Sequence, residues 1–353
     1  MKIFCYFIEP ASYTIDLIKN VYDDLKIDYC FLKSSSLAKS NYKIESIFLD
    51  QKNFFYKIKF YINNFRKNNL IIINGYNNFP FIFTFFLCLL FNRKKFIAID
   101  SDSQLNIPNF LLKRYVKYVY LSFIFKKSFV LGFAGGSNSH KKLFSNYGMS
   151  ENRIFLMPMM VDNKRFQSVP KIEPKIEPKT FTFLYVGRLV RVKNIENLIY
   201  QFNEKFNNHD ARLVVVGSGI LLNKLKQKYS TNKINFLGSK YNEDLVHYFR
   251  NSSCLVCPSS FEPWGLVINE ALSSGLPVIT SHQVGANFDL VLNKNTGLIS
   301  SNMDEFGTNM LKLYNDRETL SKMSEKASEL MMNHWNYKFY INCLNSCCKY
   351  IDK

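Results

Sequence analysis

The sequence predicts an α/β protein of two domains, each a parallel sheet wound with helices. Three observations carry that reading. Short apolar runs recur along all 353 residues, each ending in a polar or glycine-bearing loop that opens a helical stretch, which is the rhythm of βα units. A spacer interrupts that rhythm near the middle. Lys-Ile-Glu-Pro occurs twice between residues 169 and 179, and Pro170, Pro174 and Pro178 disfavour a helix or a central strand there. Residues 253–281 display one complete unit: an apolar strand, a polar loop, a helix stopped by Gly275-Leu276-Pro277, and the strand 278–281. The expected domains are 1–168 and 169–335, with 168–180 as the linker and 336–353 as a terminal amphipathic helix.

In the first half, a strand over 2–8 meets the loop Glu9-Pro10-Ala11-Ser12-Tyr13, which has no glycine pair. Ile15, Leu17, Ile18, Val21 and Leu25 mark a helix, and 28–32 a strand. Residues 41–67 mix lysines with aromatics and read as a helix whose aromatic stripe faces the core. The buried strand 70–73 leads into Asn74-Gly75-Tyr76-Asn77-Asn78. The apolar helix 79–91 falls short of the ~20 residues that a spanning helix needs, so it reads as buried or interfacial. The strand 96–99 ends in Asp100-Ser101-Asp102-Ser103. Residues 113–127 alternate basic side chains with Tyr, Val, Leu and Phe, a pattern shared by helices lying on a membrane and by ordinary surface helices. A strand from 129, the Gly135-Gly136 loop, a helix from 141 and a strand over 153–158 complete the half.

In the second half, the strand 181–186 runs into Gly187-Arg188 and, five residues past Arg188, Lys193, before a helix over 195–206. Glycine at a strand end permits close backbone approach to a ligand. A helix start attracts anions, so Arg188 and Lys193 with nearby amides can hold a diphosphate without a metal; the bland alternative is two solvated charges. The strand 211–216 ends in Gly217-Ser218-Gly219, and a helix, the strand 234–238 and the helix 242–250 follow. Glu262 falls in the loop after the strand 253–257 and Glu270 eight residues later, about two helical turns along. Taken alone, these are a dipole-favoured acid and a solvated helix residue. A loop carrying His282 and Gly285, a strand ending at 299, helices over 303–314 and 317–333, and a last helix starting at His334-Trp335 finish the chain.

The net charge is +18 and the pI near 9.4. Through residue 170 there are 24 of the 46 basic residues but 11 of the 28 acidic ones, so the excess belongs to the first half. Such a surface calls for an anionic partner: nucleic acid, acidic lipid or a phosphorylated substrate. Cys254-x-x-Cys257 has metal-ligand spacing but lies inside an apolar strand without a second pair, so both read as buried strand residues. The start of the chain does not read as a signal peptide, and eight cysteines without one point to the cytoplasm.

Residues 258–277, with Pro258-Ser-Ser-Phe-Glu262, Pro263-Trp264-Gly265-Leu266, Asn269-Glu270-Ala271 and Gly275-Leu-Pro277, resemble the Glu-x7-Glu signature of the family-4 (group 1) retaining glycosyltransferases. Gly187-Arg188-x4-Lys193, 74 residues earlier when counted from Arg188, is similar to the same family's diphosphate motif. The resemblance implies the GT-B fold, two Rossmann-like domains facing each other across a cleft, with a C-terminal helix packing back on the first. It puts the donor on the second domain: Glu262 beside the sugar, Glu270 on the ribose hydroxyls, Arg188 and Lys193 on the diphosphate. Gly187, Gly217, Gly219, Pro263, Trp264, Gly265, Leu266 and Gly285 are the remaining donor contacts it implies.

The first half, from Asn74-Gly75-Tyr76 through Asp100-Ser101, Gly136-Ser-Asn138 and Val161-Asp162-Asn163, looks like a subgroup that builds bacterial surface polysaccharides, and Asn74, Tyr76, Asp100 and Asp102 are its acceptor-side candidates. Relatives often carry a histidine in the first domain; His140 is the only one before the linker. The expected activity is transfer of a sugar from a nucleoside-diphosphate sugar to a hydroxyl of a polyprenyl-diphosphate-linked saccharide, with retention. No cofactor or metal is expected, because Asp100-x-Asp102 lies in the acceptor half. The expected location is the inner face of the cytoplasmic membrane, held peripherally by an anionic surface, with no nucleic acid partner. Three rivals stand beside this reading: a nucleotide-sugar 2-epimerase on the same scaffold, a sugar-binding inactive relative, and a basic nucleic-acid-binding protein, for which no reader module is visible.

Overall fold

The computed structural model describes residues 1–34, 46–91, 94–167 and 180–353. The expected linker thus lies outside the described residues, apart from Thr180, as do residues 41–45 of the expected 41–67 helix. The chain divides into two compact units: Met1–Met160 with Tyr337–Lys353, and Val161–Asn336. The second unit therefore begins at 161 rather than at 169. The short helix Asn163–Gln167 packs on the helix Leu266–Ser273. Asn163 Nδ2 donates to the carbonyls of Met331 and Trp335, and Ser273 Oγ donates to Asn163 Oδ1. A buried amide with three partners of one unit ties its segment there.

The first unit holds the strands β1 (Ile3–Phe7), β2 (Asp28–Phe31), β3 (Leu70–Asn74), β4 (Phe96–Ser101), β5 (Val130–Ala134) and β6 (Ile154–Leu156), all parallel in the order β2-β1-β3-β4-β5-β6. Leu70 to Ile73 are buried without alternation, as expected for a parallel strand covered on both faces. The winding reverses between β1 and β3. At such a point two neighbouring loops leave in opposite directions and open a crevice at the strands' carboxyl ends. The helix Phe54–Lys67 begins thirteen residues later than the sequence pattern places it; Asn53 caps it by accepting from the Tyr56 amide. The C-terminal helix Tyr337–Ile351 lies in this unit, packing on β6 and on the turn Ile18–Tyr22, with the Tyr22 and Tyr340 hydroxyls 3.4 Å apart. It starts three residues later than expected, because His334 and Trp335 form a turn.

The second unit holds β7 (Phe181–Val186), β8 (Ala211–Val216), β9 (Ile234–Gly238), β10 (Cys254–Cys257), β11 (Val278–Ser281) and β12 (Gly297–Ser300), parallel in the order β12-β11-β10-β7-β8-β9. Its winding reverses between β7 and β10, which pair through Cys254 with Phe183 and Leu255 with Leu184. Beneath this pair Phe183, Phe202 and Phe206 form an aromatic core, with the last two rings stacked at 5.3 Å.

Candidate active site

Each unit gathers chemistry at its own reversal point. In the second, the loops after β7, β10 and β11 are laced by backbone bonds. The Ser260 amide and hydroxyl both donate to the Val192 carbonyl, at 2.9 and 3.0 Å. Glu262 bridges to the loop after β11: its amide donates to the Gln283 carbonyl and its carbonyl accepts from Gly285. Ala286 then donates to the Trp264 carbonyl. The lacing holds Lys193 and Glu262 together as an ion pair, Lys193 Nζ on Glu262 Oε2, with side chains 15% and 14% exposed. A pair so sheltered keeps most of its attraction, and losing either partner strands a charge. Arg188 follows β7 directly and is exposed, with its carbonyl fixed by the Tyr185 hydroxyl at 3.0 Å.

Gly217 and Gly219 meet a close-packing demand before any ligand arrives. A Cβ on Gly217 would lie 1.9 Å from the Gly187 carbonyl oxygen, and one on Gly219 2.5 Å from that of Leu189. The turn after β8 is thus pressed against the loop carrying Arg188, and Leu189 donates to the Ser218 carbonyl across the contact. Gly265, at φ 95°, caps the helix Leu266–Ser273 beside Glu262, and that helix's first-turn amides open toward the same loops. Pro263 and Leu266 are half-buried there, and Glu270 sits on the second turn of the helix, also half-buried.

One expected donor contact, Trp264, has its side chain packed away from solvent. The Trp264 indole is 1% exposed, stacked at 5.7 Å on Trp335, and its Nε1 donates to Asn269 Oδ1 at 2.8 Å. Its ring packs behind the Glu262 loop, so a donor contact at this position falls to its backbone. Cys254 and Cys257 are buried strand residues, and burial with the nearby Glu262 charge pushes the Cys257 thiol up to about 11. Among the described residues no group of three or more His, Cys, Asp or Glu is placed to hold a metal ion.

In the first unit, the loops after β1, β3 and β4 wall a cavity of 440 Å³ that collects Asn74, Tyr76, Asp100 and Asp102 with Glu9 and Tyr13. Asn74 and Asp100 are register partners on β3 and β4, and Asn74 Nδ2 donates to Asp100 Oδ2. Burial, and then the Asp102 charge, raise the Asp100 carboxyl to about 7 against the pull of that bond. Burial and Asp102 also raise the Tyr13 phenol. Sequence reading missed Tyr13. Its signal was positional: it follows the strand at the reversal point. His140 is 1% exposed inside the helix Ser139–Asn146 and does not line this cavity.

Two parallel α/β sheets, each with its polar loops at a winding reversal, define the chain as a protein of the GT-B fold, the architecture of many sugar transferases. The solved structure of Anabaena Alr3699/HepE in complex with UDP and glucose agrees at a TM-score of 0.74 over 99% of both chains, with 15% identity. Residues 169–330 match the family described as Glycosyl transferases group 1. The capsular polysaccharide biosynthesis glycosyltransferase CapM of Staphylococcus aureus is 30% identical over 210 residues, 55% of each chain. The UDP-Gal:alpha-D-GlcNAc-diphosphoundecaprenol alpha-1,3-galactosyltransferase of Escherichia coli is 32% identical over 199 residues, 52% of this chain and 51% of that one. The chain thus spans about half the length of these curated relatives.

Proposed function

We propose that this chain transfers a sugar from a nucleoside-diphosphate sugar to a hydroxyl of a lipid-linked saccharide, with retention, in the assembly of a bacterial surface polysaccharide. The observation that carries the reading is the Lys193–Glu262 pair, with Arg188 close in sequence, at the reversal point of the group 1 domain. In this reaction the anomeric carbon gives up its bond to the diphosphate oxygen and gains one to the acceptor oxygen. Arg188 and Lys193 neutralise the departing diphosphate, each worth several kcal/mol as a preorganised donor. Glu262 anchors Lys193 and orients the sugar through its hydroxyls. Glu270 takes the ribose. Backbone at Gly187, Gly217, Gly219, Gly265 and Gly285 lets the nucleotide approach, and Pro263 and Leu266 flank it. On the first unit, Asn74 and Tyr76 hold the acceptor, and Asp100, tuned by Asp102, takes the hydroxyl proton.

The HepE complex names UDP and the Escherichia coli relative names a diphosphoundecaprenol acceptor, which support a nucleotide donor and a lipid-linked acceptor. With two cations on the diphosphate, transfer needs no divalent metal: chelator should leave the rate unchanged. Loss in chelator with recovery in manganese would make Asp100 and Asp102 ligands instead. An assay that measures free nucleoside diphosphate tests the reaction class. Release that needs the acceptor supports transfer, whereas acceptor-independent release with an altered sugar supports the epimerase.

The same reading places the protein peripherally on the cytoplasmic leaflet. No helix among the described residues is long and apolar enough to cross a membrane. The first unit nevertheless exposes Phe55 at 83%, together with Phe54, Phe86 and Leu90, amid its basic excess. Vesicle co-sedimentation should need anionic lipid and weaken with salt; equal binding to neutral vesicles contradicts this placement.

A further inference from the structure

Beside the Asp100 cavity lies a second depression, a shallow groove of 490 Å³ with an almost wholly apolar lining. One wall is Tyr76 and Asn77, the loop after β3; the other is the helix Leu111–Phe125. Leu112, Val116 and Tyr120 recur every fourth residue along that helix and form a straight row about 12 Å long. Lys113 and Lys117 make a second row one position on. The Tyr120 hydroxyl donates to the Tyr76 carbonyl at 2.7 Å and fixes the two walls to each other.

Tyr76 and Asn77 line both depressions, so groove and cavity share one wall. Charge sorts between them. The cavity end carries Glu9, Asp100 and Asp102, and the groove end carries Lys113 and Lys117, whose ammonium donates to the Asn106 carbonyl at 2.7 Å and keeps its other protons for a ligand. A phosphate is repelled from the first and drawn to the second, while a neutral sugar hydroxyl suits the carboxylates. A single apolar row along one helix makes a track for one chain, not two.

We propose that this groove binds the phosphate-proximal hydrocarbon of an isoprenoid-linked acceptor, with Lys113 and Lys117 meeting the phosphates and the saccharide reaching the Asp100 cavity. The proposal rests on the transferase reading for the cavity end only.

Isothermal titration calorimetry of the full chain with monomeric farnesyl diphosphate tests it. Saturable binding is expected, with inorganic diphosphate and dioctanoyl phosphatidylglycerol each at least tenfold weaker. Val116 is exposed, so Val116→Trp fills the groove without entering the core; it should weaken farnesyl diphosphate at least tenfold without weakening vesicle binding, since tryptophan favours a membrane interface. Lys113→Ala should cost a few-fold. No binding, equal affinity for inorganic diphosphate or the phospholipid, or an unaltered Val116→Trp overturns the proposal. Nucleotide binding by the same samples separates the two readings. A nucleotide response without farnesyl diphosphate binding removes the groove alone; farnesyl diphosphate binding without any nucleotide response keeps the groove and removes the transferase.

Discussion

The two reversal points share a topology and differ in charge. At the β1/β3 crevice the polar side chains include Glu9, Tyr13, Asn74, Tyr76, Asp100 and Asp102, an acceptor-rich set in which one carboxyl is pushed toward neutrality. At the β7/β10 crevice they are Arg188, Lys193 and Glu262, and the carboxylate there is answered by an ammonium. The same fold therefore offers one site suited to hydroxyls and another suited to an anion. The difference lies in the strand ends, where Asn74 and Asp100 close β3 and β4, and in the loops beyond them, which is where a parallel α/β sheet leaves side chains free to vary.

Single substitutions at the two crevices should separate their roles. Glu262→Gln should come first, lowering transfer by about 10³-fold while circular dichroism shows an intact fold, since glutamine keeps an oxygen for Lys193 but loses the charge. Near-normal turnover in the folded variant would remove Glu262 from the chemistry.

Asp100→Asn should lower transfer by about 10²-fold. With the Asp100 carboxyl at about 7, its base form accumulates as pH rises through neutrality, so the wild-type rate should climb there and the variant's should be flat. The sign for stability is opposite. The carboxyl is raised from 3.8 on folding, so its contribution is full below about 4 and is lost as pH rises to about 7. Asp100→Asn should abolish that decline in melting temperature; a decline that persists assigns it to another group.

The smallest effect is expected from Glu270→Ala, about tenfold in donor KM with kcat nearly kept, because ribose binding is shared by ground and transition states. A defect confined to kcat would move Glu270 from the ribose to the reacting centre.

Much of this was legible in the sequence. Helix bounds such as 79–91 and 195–206 and strands such as 181–186 follow from hydrophobic period and from glycine or proline stops, and the structure has them at those residues. Glu262 and Lys193 were singled out separately; their ion pair depends on loop lacing across 69 residues of chain, which no local pattern encodes. The wide helical turns Ile18–Tyr22 and Asn287–Val291 depart from the 3.6 period and were read through or left unassigned. Trp264 and Trp335 were placed by neighbouring motifs, whereas their positions are set by stacking on each other. The Asp100 cavity needed the strand order, because Tyr13 and Asp102 are remote until β1, β3 and β4 lie side by side.

In the proposed function the β7/β10 crevice binds a nucleoside diphosphate through Arg188 and Lys193. Thermal denaturation with a panel of nucleoside diphosphates and their sugars tests it most directly, in the wild type and in Arg188→Ala and Lys193→Ala. A ligand that binds only the folded state adds about 2.7 kcal/mol at a hundred times its Kd. At least one nucleotide should raise the wild-type melting temperature in a concentration-dependent way, and both variants should lose most of that rise. A panel without effect on the wild type, or a rise undiminished in both variants, would contradict it.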